Sequence, residues 1–296
     1  MNADSRRTAL LAGVGLLLLF PGCVDRESNS SILLDDKGLH CNDVDCPRLT
    51  HRNGILVITD FHLQANSDQP ALTITAARSV EIRDATIAAL HTGIVWSPPA
   101  GCPNCTLRIV GSHIAAGVAG IAADAGSQLE LLGTTIVSEN QPDGTLGQVG
   151  IQVRNVPDVR LTDVTFESLV ADHGDGLLVL TDAVVQAINV TLRHYASGLS
   201  GNILSLGPGP VMIECGVVGM DLSGASVQVE GVHVEGCSQF GIRADRPSAV
   251  EVRRTNITRS AVGLETINSR RTTLVDVSLH ENGYGASLYG GLDRTG

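Results

Sequence analysis

Residues capable of acid–base and ligand chemistry gather in the middle of this 296-residue chain. Glu139, Asp143, Asp172, His173, Asp175, His194 and Tyr195 fall in three polar segments, 138–148, 168–175 and 194–200. Gln152 and Arg154 stand on the adjoining apolar stretch, and Asp124 a little earlier. A carboxylate beside a histidine can relay a proton, an arginine fork can hold a carboxylate, and a cluster of carboxylates suits calcium. Such a set could serve acid–base catalysis or hold a charged ligand. The same residues also make ordinary solvated loops, so the chemistry turns on whether the fold brings them together.

Cysteine offers a second kind of chemistry. Apart from Cys23, the cysteines cluster as Cys41 and Cys46, Cys102 and Cys105, and Cys215 and Cys237. Cys102-Pro103-Asn104-Cys105 has the spacing of a redox motif or half of a metal site. A redox pair opens a helix in a thioredoxin-like unit, and a zinc site takes two further ligands. Neither context is present, which leaves a small disulfide pinning the loop at Pro98-Pro99. An even set of cysteines in an exported chain reads as disulfides.

The elements that must position these residues are repeats. A turn-tolerant residue, then a small or apolar one, then Thr, His, Asn or Ser, then an aliphatic residue or Phe, begins at Asp60, Asp84, Gly111, Gly133, Asp163, Asn189, Gly231, Arg254 and Asp276. Successive starts lie 24, 27, 22, 30, 26, 42, 23 and 22 residues apart, the longest step hiding a degenerate copy near Gly209 to Met212. A period in the low twenties built of short apolar strands predicts a solenoid.

Two residues before each turn stand Ile58, Ile82, Ile109, Leu131, Leu161, Ala187, Val229, Val252 and Leu274. Spacing by two puts this column, and the one two residues earlier, on one inward face. The turn residue itself must adopt the left-handed conformation, which Gly, Asn and Asp tolerate. Arg254 departs from that rule, predicting strain or a shifted bend. A second glycine column, Gly93, Gly120, Gly150, Gly176, Gly219, Gly241, Gly263 and Gly285, opens another strand, with Gly201 taken as its member in the coil of Asn189. By that count three consecutive coils carry long loops on one edge, the usual place for a repeat protein's binding face. Cys215 and Cys237 each lie four residues before a column glycine, which predicts a disulfide between adjacent coils. Outward columns Glu81, Arg108, Glu130, Arg160 and Asp221, Arg243, Glu265 alternate in sign and predict charge ladders. His62, Thr86, His113, Thr135, Thr165, Thr191, His233, Asn256 and Ser278 form an outward polar column. Either hydroxyl-based sugar binding or the plain solvent side of a sheet accounts for it.

Three short strands per coil and the segment Val232-His233-Val234-Glu235-Gly236-Cys237-Ser238-Gln239-Phe240-Gly241-Ile242 resemble the right-handed parallel β-helix proteins of the pectate-lyase-like group. The resemblance implies an all-β chain: a single-stranded right-handed solenoid of about ten coils and three parallel sheets over residues 54–296. It also implies an enzyme of glycan cleavage, yet the paired acids and Gly-His-Gly of the pectin hydrolases are missing, and no catalytic residue carries over. Phe20-Pro21-Gly22-Cys23, after Arg6-Arg7 and the apolar run Ala9–Phe20, resembles a bacterial lipobox. That resemblance implies a signal peptide at 1–22, lipidation at Cys23, and a tether and cap at 23–53.

The net charge of −11 excludes nucleic acid as a partner. It disfavours polyanionic glycans except through bridging calcium, and no other cofactor is implied. The expected function is therefore a lipid-anchored, exported binding or scaffold module for polysaccharide or a cell-surface protein. A polysaccharide lyase, hydrolase or epimerase with its site at the long loops 138–148, 168–175 and 194–200 is the alternative the resemblance implies.

Overall fold

The computed structural model describes residues 30–99, 102–139, 148–170 and 173–290. Within these the chain is all β: strands stack in parallel into a β-solenoid of about ten turns. Three sheets run its length. The first contains Ile55–Thr59, Val80–Arg83, Thr106–Val110, Gln128–Leu132, Ser226–Glu230, Ala249–Arg253 and Arg271–Val275, among others. The second follows each turn residue, and the third opens at the glycine column.

Repetition of residue type along each column explains the stacking. Ile58, Ile82, Ile109, Leu131, Leu161 and Ala187 sit rung upon rung, all fully buried. The second sheet adds Leu63, Ile87, Ile114, Ile136, Phe166, Leu192, Ile213, Val234 and Ile257. Such columns remove apolar area from water at roughly 25 cal/mol per Å². Leu274 differs because it lies in the last coil, with nothing described above it, and is 39% exposed.

All nine turn residues adopt the left-handed conformation, with φ between 47° and 74°. Arg254 does so at φ 47°, so the bend is not shifted. In the degenerate copy, register places Pro210 beside Asn189. A proline ring fixes φ near −65°, so this coil cannot use the common turn.

The glycine column is set by close approach. A Cβ on Gly93, Gly120, Gly150, Gly176, Gly198, Gly219, Gly241 or Gly263 would lie 2.5–2.7 Å from the carbonyl oxygen of the next glycine in the column. The member contributed by the coil of Asn189 is therefore Gly198, and Gly201 is not part of the ladder. From Asn189 to Gly198 is as short as from Asp84 to Gly93. Residues 194–200 accordingly lie within the continuous strand Asp175–Leu206 rather than in a long loop.

Two antiparallel hairpins lie at the amino-terminal end. Ser31–Asp35 pairs with Gly38–Asn42 and also adds to the third sheet beside Leu72–Ile74, while Arg48–Arg52 folds back on Ile55–Thr59. Disulfides join Cys41–Cys46, Cys102–Cys105 and Cys215–Cys237, with Cα separations of 5.6, 5.4 and 5.1 Å. The Cys102 amide also donates to the Pro99 carbonyl at 3.0 Å, fastening the proline loop.

Candidate functional site

The described members of the loop cluster do not converge. Arg154 lies near Asp124 of the coil before it, at 3.7 Å, both exposed. Asp175 shares a rung with Val149, at the start of the third-sheet strand, whereas Arg154 follows its end. Five residues of extended chain separate those rungs by about 16 Å. Gln152 sits between Ala122 and Leu178 on the outer face. Glu139 is exposed, and its carbonyl accepts the side-chain amide of Gln148. The His173 carbonyl accepts the Ala196 amide at 3.4 Å. Asp143, Asp172 and Cys23 lie outside the described residues. Among the described residues, no ion pair or hydrogen bond joins Arg154 to Glu139, His173 or Asp175, and no group of three metal-ligating side chains occurs.

Tyr195 is interior rather than a loop residue. Its hydroxyl meets Ser138 Oγ at 2.9 Å and donates to the Glu167 carbonyl at 3.3 Å. Burial raises its pKa, so the phenol stays neutral. It is a polar plug in the core.

Asp175 accepts a hydrogen bond from Ser200 Oγ at 2.8 Å. Burial raises its pKa above the ordinary carboxylate value, and Asp221 adds to that through its charge. Asp221 is itself raised by burial and by Asp245, against the pull of Arg243. A raised folded-state pKa means that folding favours the protonated acid. The penalty is absent below the unfolded value, grows as pH rises from the unfolded value to the folded one, and is complete above it. Asp221→Asn is therefore expected to raise the melting temperature at pH 7 and to leave it nearly unchanged near pH 3, as thermal melts across that range would show. Equal shifts at both pH values would contradict the assignment. Glu81 has the opposite sign: burial would raise it, but Arg83 and Arg108 outweigh that and hold it low.

The charge ladders hold in part, with no ion pair between Asp221 and Arg243 among the described residues. Arg108 bridges Glu81 at 3.0 Å and Glu130 at 3.1 Å, and Arg243 reaches Glu265 at 3.5 Å. Arg160 instead pairs with Asp158 on its own strand at 2.8 Å.

A groove lies elsewhere, on the outer face of the second sheet. It encloses about 690 Å³ and runs along the solenoid axis, lined by Thr191, Arg193, Met212, Glu214, His233 and Asn256, with Arg254 and Asp276 at its rim. Thr191, Met212, His233 and Asn256 occupy successive rungs of one column. Four rungs at about 4.8 Å give a floor some 14 Å long. Met212, 37% exposed, is its apolar patch.

Polar groups in the groove are oriented by neighbours. The Asn256 amide lies 3.0 Å from His233 Nδ1, and His233 Nε2 lies 3.1 Å from Glu235 Oε2. With the amide donating, Nδ1 is the acceptor and the ring proton sits on Nε2, aimed at Glu235. Arg193 pairs with Glu214 at 3.4 Å, Arg254 with Glu230, and Arg259 with Glu235. Every arginine at this face thus has an acidic partner, and the groove presents hydrogen-bonding groups with little net charge. The sequence placed Thr191, His233 and Asn256 in one outward column, but nothing in residue order marked where that column lies in a groove. No family model matches the chain, and comparison with curated proteins and with solved structures finds no match.

Proposed function

We propose that this protein is an exported, lipid-anchored β-solenoid that binds a glycan chain without cleaving it, along the groove of the second sheet. The observation that carries the proposal is the groove itself: four polar and apolar rungs in line, evenly spaced, with its arginines already neutralised. An extended sugar chain offers hydroxyls at regular intervals and alternating apolar faces, and it matches a floor of this kind. A strongly anionic polymer fits less well, because the arginines are answered by glutamates. Both ring nitrogens of His233 are held by neighbours, which favours positioning over proton transfer. Three disulfides support an oxidising, extracytoplasmic address. The lipid anchor at Cys23 rests on the lipobox-like segment.

Affinity electrophoresis against neutral and anionic polysaccharides, with a parallel assay for reducing ends and unsaturated products, tests the reading. Binding without product is expected. Met212→Arg, which fills the groove floor, and Asn256→Ala, which releases His233, are each expected to weaken binding about tenfold or more, on the order of 1.4 kcal/mol. Product release that is lost in Asp175→Asn would instead establish the enzyme at the loops. Binding lost in Arg154→Ala but kept in Met212→Arg would move the site there.

A further inference from the structure

The two ends of the solenoid are unlike. At the amino-terminal end hairpins extend the first and third sheets and Leu56 and Leu63 are buried, although His62–Ala65 pairs on one side only among the described residues. The edge strand Arg48–Arg52 carries Arg48, His51 and Arg52, charges of the kind that discourage pairing. At the other end Arg271–Val275, Ser278–His280 and Tyr284–Gly290 pair on one side only among the described residues. Tyr284–Gly290 has no charged residue and no proline. Tyr284, Leu288 and Tyr289 are 74%, 53% and 60% exposed. Among the described residues, this end therefore combines three unpaired strand edges with a half-exposed apolar core, an arrangement that draws a partner.

We infer that the open end pairs with the open end of a second copy, giving a closed two-fold dimer. A partner satisfying all three edges at once must present three strands around the same triangular section, and another coil of this chain does so. The charged antiparallel edge at the amino-terminal end disfavours head-to-tail stacking, so the contact is isologous and does not propagate into a filament. Residues 270–290 are the size of one side of a standard interface, roughly 20–30 residues.

The register follows from hydrogen-bond parity. Val275 gives its carbonyl to the Arg254 amide, so Val275, Thr273 and Arg271 face the coil below. Thr272 and Leu274 then direct their N–H and C=O groups off the end. If Arg271–Val275 pairs antiparallel with its own copy about Thr273, Thr272 of each copy lies opposite Leu274 of the other. Those two residues exchange both hydrogen bonds. The same register sets Arg270 of each copy opposite Asp276 of the other, a complementary charge pair formed twice. Thr273 meets Thr273 across the axis as a non-hydrogen-bonded pair, Cα atoms about 4.5 Å apart. The two-fold operation also sets Ser278–His280 of each copy against Tyr284–Gly290 of the other.

Sedimentation equilibrium of the full chain over a wide concentration range is expected to give twice the chain mass. Arg270→Asp should weaken association about tenfold or more, and adding Asp276→Arg should restore it. Arg254 shows that this turn column accepts arginine. Thr273→Cys should form a covalent dimer on mild oxidation, linked at position 273 by peptide mass spectrometry and absent from the parent chain, since the separation lies within disulfide range. A monomer at every concentration overturns the inference, as does a dimer that ignores Arg270→Asp and does not cross-link at 273.

Discussion

Gly120→Ala is expected to destabilise the solenoid by about 3 kcal/mol or more, the upper end for overpacking a core. The added Cβ would sit 2.6 Å from the Gly150 carbonyl oxygen and 2.6 Å from Ile136 Cγ2. Neither neighbour has room to yield. Gly150 is packed in the same way beneath the next column glycine, and Ile136 is clamped between Ile114 and Phe166. The backbone of Gly120 is not left-handed, so the cost is contact rather than torsion. Gly133→Asp is the matched control: its Cβ meets nothing within 4 Å, and aspartate holds the same turn position at Asp84 and Asp163. That change is expected to cost less than about 1 kcal/mol. Urea unfolding by circular dichroism reads both, and equal midpoints for the two variants would refute the account.

Phe166→Ala is expected to cost about 3–5 kcal/mol, the range for emptying an aromatic site in a core. Phe166 is fully buried, stacked between Ile136 and Leu192 and touching the space above Gly150. Its neighbours belong to strands held on both sides, so the cavity cannot collapse far. Leu279 occupies the same column in the last coil, where it is only half-buried. Leu279→Ala should therefore cost about 1 kcal/mol. Similar losses at the two positions, measured in one denaturant series, would mean that the column does not share one core.

The architecture was readable because a solenoid writes its contacts into its period. Ile82, Ile109 and Leu131 occupy equivalent places in the repeat, and equivalence in sequence becomes adjacency in space. The nine turn residues were legible for the same reason, since a left-handed bend selects for Asp, Asn and Gly. The Cys215–Cys237 bond followed from a shared offset. Gly198 and Gly201 lie three residues apart in a strand of mixed polarity, and only the packing against the Gly219 carbonyl tells them apart. The same ambiguity hides the interior position of Tyr195, which the strand register alone reveals. The groove was not legible at all. Its depth depends on how the outer side chains of Arg193, Met212 and Arg254 spread around the column, and periodicity carries no information about that.

The difference between the hairpin-bearing end and the open end has a consequence for how the molecule comes apart. In a stack where each coil touches only its neighbours, an interior coil must break two contacts to leave, and the terminal one only a single contact. Loss of order should begin at residues 270–290 and advance one coil at a time toward the disulfide-closed hairpins. Amide exchange would then fall stepwise from that end inward, with the amides of Arg271–Val275 exchanging before those of Ala249–Arg253. Joining two open ends removes the point from which peeling starts. A molecule of this design would be most resistant to proteases when paired, and dilution alone would expose it to digestion in fragments about one repeat long.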